Sequence, residues 1–172
     1  MTYKKYLILM RHADSLPTID GEDFNRVLSP RGIHQATKAA KLLTSYQIDK
    51  ILVSPALRTK QTMEIINEEL KIKQIETQEE LYSANKQSIF DMITNQSDEI
   101  KSLMIIGHNP EIYASIFDMI DDNSDSKNYE KLVKSLMPPA GIVVIAFQGT
   151  CNWFNINKMG NGRVVNILFD HE

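Results

Sequence analysis

Cysteine is almost absent. Cys151 stands alone among 172 residues, so no disulfide framework can form within the chain, and with no CxxC partner it reads as a small apolar filler. That usage fits a reducing compartment, and the expected location is the cytoplasm. Positive charge is scarce as well: 19 Lys and Arg against 22 Asp and Glu leave a net charge of −3. Without a basic excess the chain cannot neutralise a nucleic-acid backbone, so nucleic acid is not an expected partner. An anionic small substrate must instead be drawn in by a local cluster of arginines. Long hydrophobic runs are missing too. The first, Tyr6 to Met10, is too short for the core of a signal peptide, and no run approaches the ~20 apolar residues of a membrane span. Histidine is limited to four residues, and HxH, HExxH and CxxC spacings do not occur, so neither a metal nor another cofactor is expected.

What is present is ordinary for a folded protein: an apolar share of 42% in a chain long enough for one domain, 1–172, with a single core. Tyr6 to Met10 has the length of a buried strand and stops at Arg11-His12. Residues 16 to 28 are polar, with Pro17 and Gly21, and read as a loop. Ser29-Pro30 opens a helix, Ser29 as N-cap and Pro30 in the first turn, and Ile33, Ala36, Ala40 and Leu43 repeat at helical spacing to about Tyr46. Lys50 to Val53 is a second strand, followed by a helix from Ala56 to Leu70, a short strand from Gln74 to Thr77 and a helix from Lys86 to Asn95. Leu103 to Ile106 is a strand ending at Gly107-His108-Asn109-Pro110, and a helix follows to Ile120. A polar loop from Asp121 to Asn128 leads to a last helix, Tyr129 to Ser135. Ile142 to Phe147, Trp153 to Asn157 and Val164 to Phe169 read as strands, with turns at Gly149 and at Gly160-Asn161-Gly162. Strands alternating with helices predict an α/β fold: a three-layer αβα sandwich with a mostly parallel sheet and an antiparallel addition at one edge.

Ligands of such sheets bind beyond the carboxyl ends of the strands. Three predicted strands end there in chemistry: Arg11-His12, Ser54-Pro55-Ala56-Leu57-Arg58 and Gly107-His108-Asn109-Pro110. Two histidines and two arginines converge on one rim. His34, in the first turns of a helix, and His171, near the end of the chain, read as solvated. Gly107 either lets backbone approach a ligand or serves the strand-to-helix turn.

Leu9-Met10-Arg11-His12-Ala13 resembles the Arg-His-Gly/Ala motif of the histidine phosphatase superfamily, the phosphoglycerate mutase-like proteins. Leu28-Ser29-Pro30-Arg31-Gly32 with Gln35-Ala36, the segment Val53 to Thr62, and Ile106 to Pro110 are similar to its other motifs. Glu80-Leu81-Tyr82 and Asp23-Phe24-Asn25-Arg26-Val27-Leu28 resemble the SixA-type branch, the phosphohistidine phosphatases, with Val27 where that branch has proline. The resemblance spans residues 6 to 120. It implies a metal-independent, two-step reaction: His12 attacks phosphorus, Arg11, Arg58 and His108 hold the phosphoryl group, and water releases phosphate from a phosphohistidine. The substrate is expected to be a phosphorylated protein or a small phosphorylated molecule.

Elementary chemistry agrees with these roles. A nucleophilic imidazole must be neutral, and nearby guanidinium groups disfavour its protonation. Its other nitrogen must donate to a carbonyl or carboxylate that fixes the tautomer. Guanidinium groups match phosphoryl oxygens with paired donors, and helix starts near Pro30, Ala56 and Pro110 can add amides. Larger members of the superfamily place a glutamate two residues after the leucine that here is Leu81, and that position is Ser83. Glu79 and Glu80 precede the leucine. Glu80 is the candidate acid, against a solvated loop charge. An alkoxide leaving group needs a proton at departure, an imidazole needs one less, so preference for phosphohistidine is expected. A phosphomonoesterase of small metabolites and a non-catalytic phosphate-binding module are the alternatives.

Overall fold

The computed structural model describes residues 3–18, 21–83, 85–120, 127–149, 151–156 and 162–169. Six strands make one sheet: β1 (Tyr3–Arg11), β2 (Lys50–Val53), β3 (Gln74–Thr77), β4 (Ser102–Gly107), β5 (Ile142–Gln148) and β6 (Gly162–Leu168), in the order β3-β2-β4-β1-β5-β6. The first four are parallel to one another, whereas β5 and β6 run antiparallel at one edge. Five α-helices, α1 (Pro30–Leu43), α2 (Leu57–Leu70), α3 (Lys86–Thr94), α4 (Glu111–Met119) and α5 (Lys127–Lys134), and three 3-10 turns complete the described elements.

The pleat explains the three layers. Side chains alternate across a strand, so Leu7 and Leu9 of β1 join the core beneath α3, α4 and α5, whereas Ile8 and Met10 join the core beneath α1 and α2. Both sets are fully buried, and so is every residue of β4. Each such side chain contributes roughly 1.5–3 kcal/mol of burial. The fold is a three-layer α/β sandwich with a mostly parallel sheet.

Register then brings three strand ends level. Arg11 pairs with Gly107, and Val53 with Ile106. The next amides continue the ladder, His12 N to Gly107 O at 3.0 Å and Ser54 N to Ile106 O at 3.1 Å. Gly107 packs closely under α4: a Cβ there would meet the tip of the Ile112 side chain, Cδ1, at 2.8 Å. Gly32 lets α1 close on the chain after β1, since a Cβ would lie 1.9 Å from the Asp14 carbonyl oxygen.

Two expectations need correction. Trp153 to Asn157 is not a strand: Trp153–Asn155 is a 3-10 turn, residue 157 lying outside the described residues. The buried Trp153 ring donates from Nε1 to the Ile100 carbonyl at 2.8 Å, and Asn152 Oδ1 accepts from Asn155 N at 3.0 Å; these fixed partners replace a sheet ladder. The loop from 16 to 28 carries a 3-10 turn at Asp23–Asn25. Residues 121–126, 160, 161 and His171, all assigned from sequence, lie outside the described residues.

Candidate functional site

Beyond the ends of β1, β2 and β4 lies a cleft of about 450 Å3 lined by Arg11, His12, Asp23, Arg26, Arg58, Tyr82, His108, Asn109, Pro110 and Glu111. Arg11, His12, Arg58 and His108, placed by sequence on three separate segments, thus come together. Glu80 does not join them. It lies exposed on the 3-10 turn Glu79–Leu81 and lines a different depression, with Gln78, Ser88 and Asp91. Ser83 and His34 are exposed.

The motif polar residues around the cleft serve as braces. Thr62 Oγ1 accepts from Ala13 N at 3.1 Å, Gln35 Oε1 from Asp14 N at 3.0 Å, and Gln61 Oε1 from Leu28 N at 2.8 Å. They hold the chain leaving β1 without a regular ladder of its own. Ser29 caps α1 by accepting from Gly32 N and donates its hydroxyl to Asp14. Of the three helix starts named from sequence, the Pro110-Glu111 start of α4 lines the cleft, and α2 reaches it through Arg58.

His12 is 8% exposed, and its two nitrogens are distinguished. Nδ1 lies 2.8 Å from the Ala13 carbonyl oxygen, which can only accept, so Nδ1 carries the proton. Nε2 keeps its lone pair and accepts from Arg58 Nε at 3.2 Å. Burial, with the charges of His108, Arg58 and Arg11, lowers the His12 pKa to about 3 against the one upward pull of the Ala13 bond. His108 packs at 5.2 Å from it, ring centre to ring centre. Its Nε2 lies 2.8 Å from Ser54 Oγ and its Nδ1 3.3 Å from Arg58 Nη2. Burial and then the Arg58 charge hold its pKa at about 4, with Asp23 opposing. Both rings are neutral at pH 7.

The arginines form the floor and wall. Arg58 is buried and spans the cleft: Nε meets His12, while Nη1 donates to the Asp23 carbonyl at 2.7 Å and Nη2 to Asp23 Oδ2 at 2.9 Å. Arg11 Nη1 donates to the Met137 carbonyl at 3.1 Å, an acceptor shared with Asn109 Nδ2 at 2.9 Å. Arg11 Nε is buried with no protein partner. Burial lowers the Arg11 pKa, with Asp14 opposing.

Sequence reasoning did not place Asp23, Arg26, Tyr82 or Asn109 in the site. Asp23 Oδ1 accepts from Arg26 Nη1 at 3.0 Å and Oδ2 from Tyr82 Oη at 3.0 Å. Burial raises the Asp23 pKa, but hydrogen bonds from Arg26 and Tyr82 and the Arg58 charge outweigh it and leave the value at about 2. The Asp23-x-x-Arg26 spacing is visible in sequence, yet nothing local says that the turn folds back over Arg58. The Met137 carbonyl has no sequence signal at all, being backbone. Among the described residues no group of three or more His, Cys, Asp or Glu could hold a metal ion.

The depressed histidines make a stability prediction. Unfolded, His12 and His108 titrate near 6.5; folded, near 3 and 4. Their effect is constant above about 6.5, and stability is lost as pH falls from there, because the unfolded chain binds protons that the folded chain refuses. Urea midpoints followed by Trp153 fluorescence should drop between pH 6.5 and 4.5, and less steeply in His12→Asn.

The cleft unites a neutral imidazole lone pair with two guanidinium groups, which is an arrangement for moving a phosphoryl group. Comparison with known proteins agrees. The sequence matches the histidine phosphatase superfamily (branch 1) over residues 7–89. It is 26% identical over 149 residues to the uncharacterized protein Rv1276c of Mycobacterium tuberculosis, covering 86% of this chain and 91% of that one. A protein assigned as the phosphohistidine phosphatase SixA of Agrobacterium tumefaciens superposes with a TM-score of 0.80 at 26% identity, over 97% of this chain and 99% of that one. The protein histidine phosphatase SixA complexed with tungstate has a TM-score of 0.76 at 20% identity, over 95% and 96% of the two chains. No helix among the described residues is long and apolar enough to cross a membrane. By sequence over residues 7–89 and by fold over nearly its whole length, the chain is similar to the histidine phosphatase superfamily, with the SixA-type proteins as its structural likenesses.

Proposed function

We propose that the chain dephosphorylates phosphohistidine, with His12 as nucleophile and Arg11, Arg58 and His108 holding the phosphoryl group. The observation that carries this reading is the division of labour on His12: Nδ1–H tied to the Ala13 carbonyl, and a lone pair on Nε2 held beneath Arg58. Nε2 attacks phosphorus as Arg58 turns its donors from His12 and Asp23 to the equatorial oxygens. Arg11, whose side chain lines the cleft, adds its guanidinium. His108 takes up a proton once the dianion is beside it and becomes a second donor. Water then attacks the phospho-His12. Tungstate, held by a protein of this fold, is an oxyanion of the same shape, and vanadate is expected to inhibit while EDTA has no effect.

The proton balance supports this substrate class. Asp23, the carboxyl beside Arg58, is ionised at neutral pH and cannot act as an acid, and Glu80 faces another depression. Among the described residues, Glu111 at the start of α4 is the one other carboxyl lining the cleft; a serine alkoxide would depend on it for a proton, whereas an imidazole leaves far more readily. The half-exposed rim also suits a histidine on a protein surface, and the single cysteine suits the cytoplasm. Phosphate release from a phosphohistidine protein should exceed that from a phosphoserine peptide by at least about 100-fold, the lower range of what a general acid supplies. Faster cleavage of phosphoserine defeats the proposal. Cleavage of small phosphate esters alone favours the metabolite reading, and no cleavage at all favours a binding module.

A further inference from the structure

We propose that Asp23, flanked by the rings of Phe24 and Tyr82, seats the leaving imidazole of the substrate and holds the proton on its distal nitrogen. The inference rests on the phosphohistidine reading and deepens it. When a phosphorus–nitrogen bond to imidazole breaks, the electron pair stays on that nitrogen. If the distal nitrogen is bare, the ring departs as imidazolate, a far stronger base than neutral imidazole. If the distal nitrogen carries a proton, the ring departs neutral.

On its own side the protein already meets this demand. His12 keeps its distal proton on the Ala13 carbonyl at 2.8 Å, so a phosphoryl group on Nε2 always leaves a neutral ring. Transfer from a substrate histidine is balanced only if that ring has an acceptor too. Across Arg58 from His12 stands Asp23: the guanidinium touches the nucleophile with Nε and the carboxylate with Nη2. Arg26, Tyr82 and Arg58 occupy three of its roughly four acceptor positions, and one on Oδ1 remains. Its side chain is 48% exposed, hence open to a substrate. The other unpaired oxygen of the wall, Asn109 Oδ1, is sealed from solvent.

The aromatic rim fits the same guest. Phe24 and Tyr82 meet edge to face at 5.0 Å, and Tyr82 meets His108 at 5.7 Å. Both are partly exposed, at 40% and 36%, and Tyr82 lines the cleft. Their faces favour a flat cation, and a phosphorylated imidazole protonated at its distal nitrogen is one.

The steps balance. The His12 Nε2 lone pair forms the new bond to phosphorus, the old pair remains on the substrate nitrogen, and that ring departs neutral with its N–H still on Asp23. Water then attacks phosphorus, the bonding pair returns to Nε2, and the proton of water ends on the phosphate.

The test is kcat/KM from pH 6 to 9 on a phosphohistidine peptide and on p-nitrophenyl phosphate, whose leaving group needs no proton, with wild type, Asp23→Asn and Glu111→Gln. The titratable and charged groups that line the cleft with Asp23 are Arg26 of its own loop, Arg58 of α2, Tyr82, His108 after β4, Arg11 of β1, His12 just after it, and Glu111 of α4. His12, His108 and Asp23 titrate at about 3, 4 and 2, below that window, and Tyr82 is pushed up. In Asp23→Asn the alkaline limb for the phosphohistidine peptide should move down by about one pH unit, the lower range for losing an opposite charge. The ratio of the two activities at pH 8 should then fall about tenfold. Equal loss on both substrates with an unmoved profile would mean that Asp23 only braces Arg58, and would overturn the proposal. So would the same shift in Glu111→Gln in place of Asp23→Asn. If wild type cleaves p-nitrophenyl phosphate but not the phosphohistidine peptide, the phosphohistidine reading itself falls and takes this inference with it.

Discussion

His12→Ala is expected to lower phosphate release by about 10^4- to 10^6-fold, the range for loss of a covalent nucleophile. The remaining donors would still bind the phosphoryl group, so KM should change far less than kcat. Two observations separate loss of chemistry from loss of fold. Trp153 lies in the core on the opposite face of the sheet from α1 and α2, so its fluorescence should report an urea midpoint close to that of the parent. Acid-labile, base-stable phosphate should appear on quenched wild type and be missing from the variant. A His12→Ala protein that turns over at the parental rate would end the mechanism, whatever the fold.

Arg58→Ala should cost about 10^3-fold in kcat/KM, as arginines that stabilise a transferring phosphoryl do. The size follows from the number of tasks in one side chain. Arg58 caps the Nε2 lone pair, contacts His108 Nδ1 and holds the Asp23 turn through two hydrogen bonds. Its charge also helps to keep His12 unprotonated. Lysine should restore little, because an ammonium cannot present a planar fork to His12 and Asp23 at once. The acid limb of kcat/KM should move up in Arg58→Ala, since one of the charges opposing His12 protonation is gone. Rescue of most activity by Arg58→Lys would show that a point charge suffices, and would remove the bidentate clamp from the mechanism.

The four central residues were legible because each follows a short apolar strand, and strand ends are where a parallel sheet opens. Tyr6 to Met10 and Leu103 to Ile106 are hydrophobic on both faces, as strands covered on both sides must be. The last third was read less well. Trp153 and Phe154 have strand-like chemistry, but a hydrogen bond from the Trp153 ring to Ile100 outweighs that propensity and produces a turn. Glu80 was the natural acid by chain position, two residues from Tyr82. The 3-10 turn that carries it points it elsewhere, and Tyr82 faces the cleft.

Sequence alone therefore determined which groups gather at the cleft and on which strand ends they sit, because hydrophobic periodicity and strand-end placement are local properties. Only the tertiary structure decided how those groups are charged and joined. The tautomer of His12 depends on a carbonyl brought into place by the turn at Ala13, the neutrality of both histidines on burial by the whole sheet, and the role of Asp23 on a loop folding across Arg58 from 35 residues away in the chain. Contacts between distant segments have no periodicity to read, and they set the protonation states that the reaction needs.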